Sequence, residues 1–502
     1  MQFLQQYHSQ QSPIRIIHVG AGAAGILTAY KAKKLLRNFS LVCYEKNAGV
    51  GGTWYENRYP GCGCDVPAHS YSFAFEPNPD WSGFYVGAAE ILAYMENFVE
   101  KHRLRDFIQL ETAVVSAEWD EPAGEWIVEL QRKDESRFTD RCHVLINGSG
   151  PLNKWKLPDI PGRENYQGKL CHSSSWDPSI DWTGKQVAVI GSGASGVQIV
   201  PQLVKGSKSL TLFARSIQWL TPPLGLQEIT VPGVEANQAR LPGPLGKHLY
   251  TDVEKQAMRD NPEALLQYRK QVDMELQRWF GVFLRDSTLS AGAMQVMTEG
   301  IRARFGPGNQ QLAESFVPDF GPGCRRNTPA EGFIEALIQP NVTTIREGIA
   351  AFSETGLVTD GGHQHDFDII VCCTGFDVAY TPHLEQLHSV EPKDGPTDQY
   401  MAHNAAWHAS FSHWADGCRS WYKNGGRADG EVMLWCGSML HMMKTLRNPR
   451  WEDYKIRYRD QGNMWAFLGG WGRSEIEDKA DKGLPTDLSP FVRSGDVPYE
   501  IE

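Results

Sequence analysis

Short apolar runs recur along this chain, each closed by glycine and followed by residues of helical period. Ile14-Arg-Ile-Ile-His-Val19 reads as a strand and Ile26 to Leu36 as the helix after it, with a second strand at Leu41-Val-Cys-Tyr44. The order repeats downstream: strand Gln186-Val-Ala-Val-Ile190, helix Val197 to Val204, strand Leu210-Thr-Leu-Phe-Ala214. Strand, helix and strand at this spacing predict parallel sheets and an α/β fold. The strand Cys142-His-Val-Leu-Ile-Asn147 and the turn Gly148-Ser-Gly150 close the first unit, and the proline spacing of Pro151 to Pro161 predicts an extended linker. Closing strands for the second unit are expected between about 341 and 374. Among them Phe367-Asp-Ile-Ile-Val-Cys372 runs into Cys373-Thr374-Gly375-Phe-Asp377, an echo of the earlier strand and turn. Between lies an insertion. A helix is predicted from Asn261-Pro-Glu263, because Leu265, Tyr268, Val272, Leu276, Trp279 and Phe283 recur at helical spacing and form a packing face.

The glycines between strand and helix carry chemistry. Gly20-Ala-Gly22-Ala-Ala24-Gly25 and Gly191-Ser-Gly193-Ala-Ser195-Gly196 both have the GxGxxG spacing in strand-to-helix context. The first glycine permits the turn, the second a close approach of backbone to pyrophosphate, and the third close packing of helix on strand, with the helix N-terminus facing the phosphate. Two Rossmann-like dinucleotide-binding domains follow. Glu45 ends the second strand of the first unit, where a carboxylate accepts the ribose hydroxyls of an adenosine, as in FAD. The corresponding strand of the second unit ends in Arg215-Ser216 with no acid, which suits the 2′-phosphate of NADPH. The expected division is residues 1–150 with 375–502 for FAD, 151–220 with 322–374 for NADPH, and 221–321 as a helical insertion in the second domain.

Composition narrows the class. The chain has 502 residues, 41% hydrophobic and 22% charged, with a formal net charge of −11, which argues against nucleic acid and anionic membrane surfaces as partners. Met1 to Pro13 is glutamine-rich and lacks the regions of a signal peptide. No apolar run approaches the roughly 18 residues of a membrane span, so a cytoplasmic enzyme is expected. The ten cysteines have no zinc-ligand spacing, no metal site is predicted, and reduced thiols are the default reading. No CxxC occurs anywhere, and Gly51-Gly52-Thr53-Trp54 stands where a flavin disulfide reductase carries its redox pair. Electrons delivered to this flavin need another acceptor, and dioxygen is the obvious one.

Five segments in order then carry a family resemblance: the two glycine loops; Tyr166-Gln-Gly168-Lys-Leu-Cys-His172-Ser-Ser-Ser-Trp176-Asp177; Gly52-Thr-Trp54 with Tyr59-Pro-Gly61 and Asp65; Gly321-Pro-Gly-Cys-Arg325-Arg326; and Thr374-Gly375-Phe-Asp377. The sequence resembles a type I Baeyer–Villiger monooxygenase. Cys418-Arg-Ser-Trp-Tyr422 and Leu434-Trp-Cys-Gly-Ser438 resemble fungal members of secondary-metabolite pathways. The resemblance implies FAD and NADPH as cofactors, dioxygen and a bulky ketone as substrates, and an ester or lactone as product. It implies that Arg326 is the active-site arginine over the flavin and that Asp65 pairs with it. Arg325, Arg215 and Ser216 fall near the 2′-phosphate, and Thr53, Trp54 and Tyr71 on flavin-contacting positions. Tyr166, Gly168, His172 and Trp176 belong to a fingerprint linker that couples nucleotide binding to domain movement, so His172 reads as a hydrogen-bonding strut. Tyr166 stands where the family has phenylalanine, Ser173 where it has threonine, and Asp177 where it commonly has proline.

The residue types suit the reaction. The oxygen species that attacks a ketone is an anion, and a permanently charged guanidinium stabilises both it and the oxyanion formed at the carbonyl. Asp65 offsets a charge that would be costly alone. Two other readings stay open on the residues: a flavin monooxygenase acting on nitrogen, sulfur or carbon, and an NADPH oxidase that transfers no oxygen to a substrate.

Overall fold

A computed structural model describes residues 13–120, 123–221, 229–235, 241–242, 248–378, 387–388, 396–447, 479–486 and 489. The segments Met1 to Ser12 and Trp465 to Trp471 lie outside the described residues. The chain divides into two compact units: residues 1–56, 91–154 and 378–391, and residues 57–90, 155–377 and 392–502.

In the first unit the expected strands pair in parallel and a short strand not foreseen from the sequence, Ile108–Gln109, joins them, in the order Ile108–Gln109, Phe39–Tyr44, Ile14–Val19, Val144–Asn147. The helix Ala23–Leu35 follows the first strand. Three antiparallel strands, Thr112–Asp120, Glu125–Arg132 and Arg137–Cys142, add a second sheet. Their apolar alternation buries Val128 and Leu130 against Ile17 and Tyr44. The single strand expected over Cys142 to Asn147 is therefore two. Cys142 ends the antiparallel sheet opposite Trp126, and Val144 begins the parallel sheet beside Ile16, so His143 is where the chain changes sheets.

The second unit holds a five-stranded parallel sheet in the order Val342–Ile345, Ser209–Phe213, Gln186–Ile190, Ile369–Cys372, Lys169–His172. Its central strand is apolar on both faces because both are covered. Val187 and Val189 join one core with Val197, Val200 and Leu212, while Ala188 and Ile190 join another with Phe213, Phe352 and Ile370. The last strand begins at Ile369 rather than Phe367, and Asp368 just before it holds Gln186 twice, donating its amide to the Gln186 carbonyl and accepting from the Gln186 amide through its side chain.

The insertion is helical as expected. The Asn261 side chain caps helix Pro262–Arg278 by accepting from the Ala264 amide, and Leu265, Tyr268 and Val272 are buried along the inner face. The helix stops at Arg278, and Trp279–Phe283 continues it as a tighter 3₁₀ turn in which Trp279 and Phe283 are half-buried. Helix Thr288–Phe305 follows. No helix among the described residues is long and apolar enough to cross a membrane.

Two expectations change. Cys324 and Cys418 are joined in a disulfide across 94 residues, so the thiols are not uniformly reduced; the other eight are free. The described residues 396–447 group with the second unit, not the first. The reason is local: Asp416 accepts from Arg285 at 2.8 Å and from the Gly321 amide at 3.0 Å, next to the disulfide.

Candidate active site

Each unit presents a glycine-lined cradle at the start of a helix. In the first, Gly20 has φ +94°, and an ideal Cβ on Gly25 would lie 2.2 Å from the Gly20 carbonyl oxygen. Only glycine fits that packing. Gly22 caps the helix without a side-chain hydrogen bond, the first turn holds no acid, and Ala24 is exposed there. Helix amides are thus left for an anion. Gly52 faces Gly22, backbone to backbone, with the short helix Thr53–Glu56, which carries Trp54, directly after it. Glu45 is buried; one carboxylate oxygen accepts from the Ala21 amide at 2.8 Å and the other from the Asn47 amide and side chain. That leaves lone-pair capacity for ribose hydroxyls beside the loop. These residues fit a dinucleotide such as FAD.

The second cradle repeats the construction. Gly191 has φ +104° with an ideal Cβ 2.5 Å from the Cys373 carbonyl oxygen, and that of Gly196 would sit 2.2 Å from the Gly191 oxygen. An ideal Cβ on Gly193 meets nothing within 4 Å. Gly193 caps helix Ala194–Leu203, which carries Ser195 in its first turn, again with no side-chain cap and no acid there. Ser216 accepts at its carbonyl from the Ser192 hydroxyl, which fixes the strand end against the loop. Arg215 is exposed and Arg325 half-buried, its Nη1 donating to the Ile217 carbonyl at 3.2 Å. Burial, followed by the charges of Arg419 and Arg215, lowers the pKa of Arg325. The residues fit a phosphorylated ribose.

Arg326 meets Asp65 in a bidentate pair, Nε to Oδ2 at 2.5 Å and Nη2 to Oδ1 at 2.8 Å. Tyr71 donates to the same carboxylate at 3.1 Å. Burial lowers the pKa of Arg326, but Asp65 and the neighbouring Tyr422 and Tyr71 hydroxyls outweigh it, and the net direction is up. The guanidinium stays charged at any working pH. Burial, and then the Asp65 charge, raise Tyr71, which stays a neutral donor. Local folding explains the placement of both partners. The segment before Asp65 is fastened to the second nucleotide helix: Tyr59 donates to Gln198 at 2.8 Å, Gln198 donates to the Gly63 carbonyl at 2.9 Å, and Gly61 has φ +81° where an ideal Cβ would lie 2.5 Å from the Gln198 carbonyl oxygen. Before Arg326, Gly323 has φ +97°, its amide donates to Asn327, and Cys324 is tied to Cys418.

The fingerprint linker is structural in its contacts. Tyr166 donates to the Phe367 carbonyl at 2.9 Å, and an ideal Cβ on Gly168 would collide with the Tyr166 hydroxyl. His172 is buried, stacks on Trp155 with centroids 5.1 Å apart, and accepts from the Ser174 amide at 3.1 Å. Burial pushes its pKa down to about 4, which keeps the ring neutral. Thr374 donates to the Lys156 carbonyl at 2.8 Å and Gly375, at φ +77°, accepts from the Lys156 amide at 3.3 Å. Trp176 lies apart from these, edge-on to Trp182. Reading the sequence missed Gln198, Asp416, Arg419 and Tyr422. The string Cys418 to Tyr422 is the visible signal for Arg419 and Tyr422 alone, and nothing local ties it to Arg326.

Comparison with known proteins gives this geometry a family. The NAD(P)-binding Rossmann-like domain family matches residues 19–87. FAD-binding monooxygenase stcW of Emericella nidulans is 32% identical, over 95% of this chain and 88% of that protein. A Baeyer–Villiger monooxygenase of Streptomyces coelicolor is 31% identical, over 76% of this chain and 68% of that one. The chain belongs to the Baeyer–Villiger monooxygenases. Among solved structures, an oxidised steroid monooxygenase bound to NADP matches with a TM-score of 0.60 at 27% identity, covering 74% of this chain and 73% of that one. OTEMO in complex with FAD and NADP matches with a TM-score of 0.60, also at 27% identity, over 73% and 72%. This Baeyer–Villiger monooxygenase carries two glycine-lined cradles and, apart from them, the bidentate Arg326–Asp65 pair.

Proposed function

We propose that this chain inserts one oxygen atom from dioxygen beside a ketone carbonyl and releases an ester or lactone, with a bulky secondary metabolite as substrate. FAD held at Gly20, Gly22, Gly25 and Glu45 supplies the activation of dioxygen, and NADPH held at Gly191, Gly193, Gly196 and Arg215 supplies the reducing electrons. The observation that carries the reading is the Arg326–Asp65 pair, because a fixed, permanently charged guanidinium is what a reaction building negative charge on a carbonyl oxygen requires. Arg326 stabilises that developing charge. Asp65 orients the guanidinium, and Tyr71, kept protonated, holds Asp65 by its hydroxyl. Thr53, Trp54, Thr374 and Gly375 complete the nucleotide surroundings, while His172 and the linker brace the backbone between strand and turn. We place the enzyme in the cytoplasm, where eight of the ten cysteines stay free and the Cys324–Cys418 bond is the exception.

The test is NADPH-dependent turnover of a panel of cyclic, aryl and polyketide-like ketones by the flavin-loaded protein, with products read by mass spectrometry and peroxide assayed in parallel. Ester or lactone products are expected. Oxygenated amines or sulfides with every ketone untouched, or peroxide alone across the panel, would sink the reading.

A further inference from the structure

The arginines around the second cradle come from three distant stretches of sequence, and one of them is delivered by the disulfide. Arg215 ends the strand that follows the cradle helix, and Arg325 reaches the Ile217 carbonyl two residues further on, at 3.2 Å. Cys324 and Cys418 are bonded with their Cα atoms 6.2 Å apart, so the next residues, Arg325 and Arg419, leave the same covalent link. The segment bearing Arg419 is also held from below. Buried Lys423 donates to the Cys418 carbonyl at 3.1 Å, to the Ala428 carbonyl at 2.9 Å and to the Asp416 carbonyl. Arg419 itself is exposed.

None of the three guanidinium groups forms a salt bridge with a carboxylate among the described residues, and Arg325 Nε is buried with no hydrogen-bond partner there. Elsewhere in this unit arginines pair readily, as Arg285 does with Asp416 and Arg304 with Glu335. Like charges gathered without a counter-charge oppose folding unless an anion joins them. A phosphomonoester carries close to two negative charges and three acceptor oxygens, which suits several guanidinium donors. The drop in the pKa of Arg325, caused by burial and then by Arg419 and Arg215, is what mutual proximity of the three would produce.

We infer that Arg419, brought to the second cradle by the Cys324–Cys418 bond, is a third cation of the site that reads the 2′-phosphate of NADPH. This rests on the reading of the second cradle as the NADPH site. It adds a residue from the C-terminal segment, and it makes discrimination between NADPH and NADH depend on a covalent link 94 residues long in sequence.

The experiment is equilibrium binding of NADP⁺, NAD⁺ and 2′,5′-ADP to the oxidised, FAD-loaded protein by titration calorimetry, so no turnover is needed. Arg419→Ala is expected to weaken NADP⁺ and 2′,5′-ADP by roughly tenfold or more, the loss that goes with one charge-assisted hydrogen bond, and to leave NAD⁺ unchanged. Arg419→Lys should recover part of the loss, and Cys418→Ser should shift the NADP⁺ to NAD⁺ ratio the same way. Because Arg419 is exposed, its replacement leaves the fold intact, which thermal unfolding checks. If Arg419→Ala alters both nucleotides equally or neither, while Arg215→Ala still erases the preference, the assignment of Arg419 is wrong and the NADPH reading of the cradle stands. If Arg215→Ala also leaves the preference untouched, the cradle reading falls with it.

Discussion

Arg326 and Asp65, 261 residues apart in sequence, are joined by two parallel hydrogen bonds of 2.5 and 2.8 Å. That geometry fixes the guanidinium plane, which lysine cannot reproduce with a point charge. Removing one preorganised cationic donor costs on the order of 10²–10³ in rate. Arg326→Ala should therefore lose ketone oxygenation by about that factor or more, while anaerobic reduction of the bound flavin by NADPH, followed by its absorbance, continues. Equal loss of both half-reactions would remove Arg326 from the oxygen-transfer step.

Asp65 has a separable role. Asp65→Asn keeps an acceptor for Arg326 and for Tyr71 but deletes the counter-charge, whereas Asp65→Ala deletes both. The side chains retain 37% and 16% exposure, so the pair is solvent-screened, and the loss of a charged hydrogen bond here is worth about 1.5–3 kcal/mol at most. Urea unfolding should rank the proteins parent, Asn, Ala in falling stability. The turnover rate should fall in both variants, with the KM for NADPH nearly constant.

The glycines of the second cradle separate folding from binding. Gly196→Ala places a methyl 2.2 Å from the Gly191 carbonyl oxygen and must push the helix off the strand. Gly193→Ala meets no protein atom within 4 Å and its backbone is extended, at φ −66°. We expect Gly196→Ala to lower the melting temperature. Gly193→Ala should melt with the parent and bind NADP⁺ at least roughly tenfold more weakly, because its methyl occupies the place where backbone meets pyrophosphate. Calorimetry and thermal unfolding on the same two variants decide it.

Acid should destabilise the protein through its buried imidazoles. Burial lowers His69 to about 3, with help from the Arg269 charge, and lowers His172 and His408 to about 4. In the unfolded chain these rings titrate near about 6.5. Between about pH 6.5 and 4 the unfolded state takes up protons that the folded state refuses, so stability is full above about pH 6.5 and declines as the pH falls. Both ring nitrogens of His69 are buried without a hydrogen-bond partner among the described residues. His69→Phe should consequently flatten the dependence of the urea midpoint on pH over this interval. An unchanged slope would show that His69 is protonated in the folded protein.

Much of the fold could be read along the chain because its determinants are contiguous. Strand, glycine turn, helix and the acid at Glu45 lie within 32 residues, from Ile14 to Glu45, and hydrophobic period plus the steric demand of Gly20 and Gly25 suffice to specify them. The same holds for Gln186 to Arg215 and for the capped helix at Asn261. Where two elements abut, the pattern misled: Cys142 to Asn147 is uniformly apolar enough for one strand, yet His143 divides it between two sheets.

The site residues split along the same line. The roles expected of Gly22, Gly193 and Arg215 come from their neighbours, since they depend on the next few residues. The pairing of Asp65 with Arg326 is implied by the family resemblance and not by the residues' own pattern, and that Tyr71 and Tyr422 join them and that Cys324 bonds Cys418 are facts of three-dimensional packing. Pairings between residues far apart in sequence leave no periodic trace, because a carboxylate or a thiol looks the same in the chain whether its partner is beside it or solvent is.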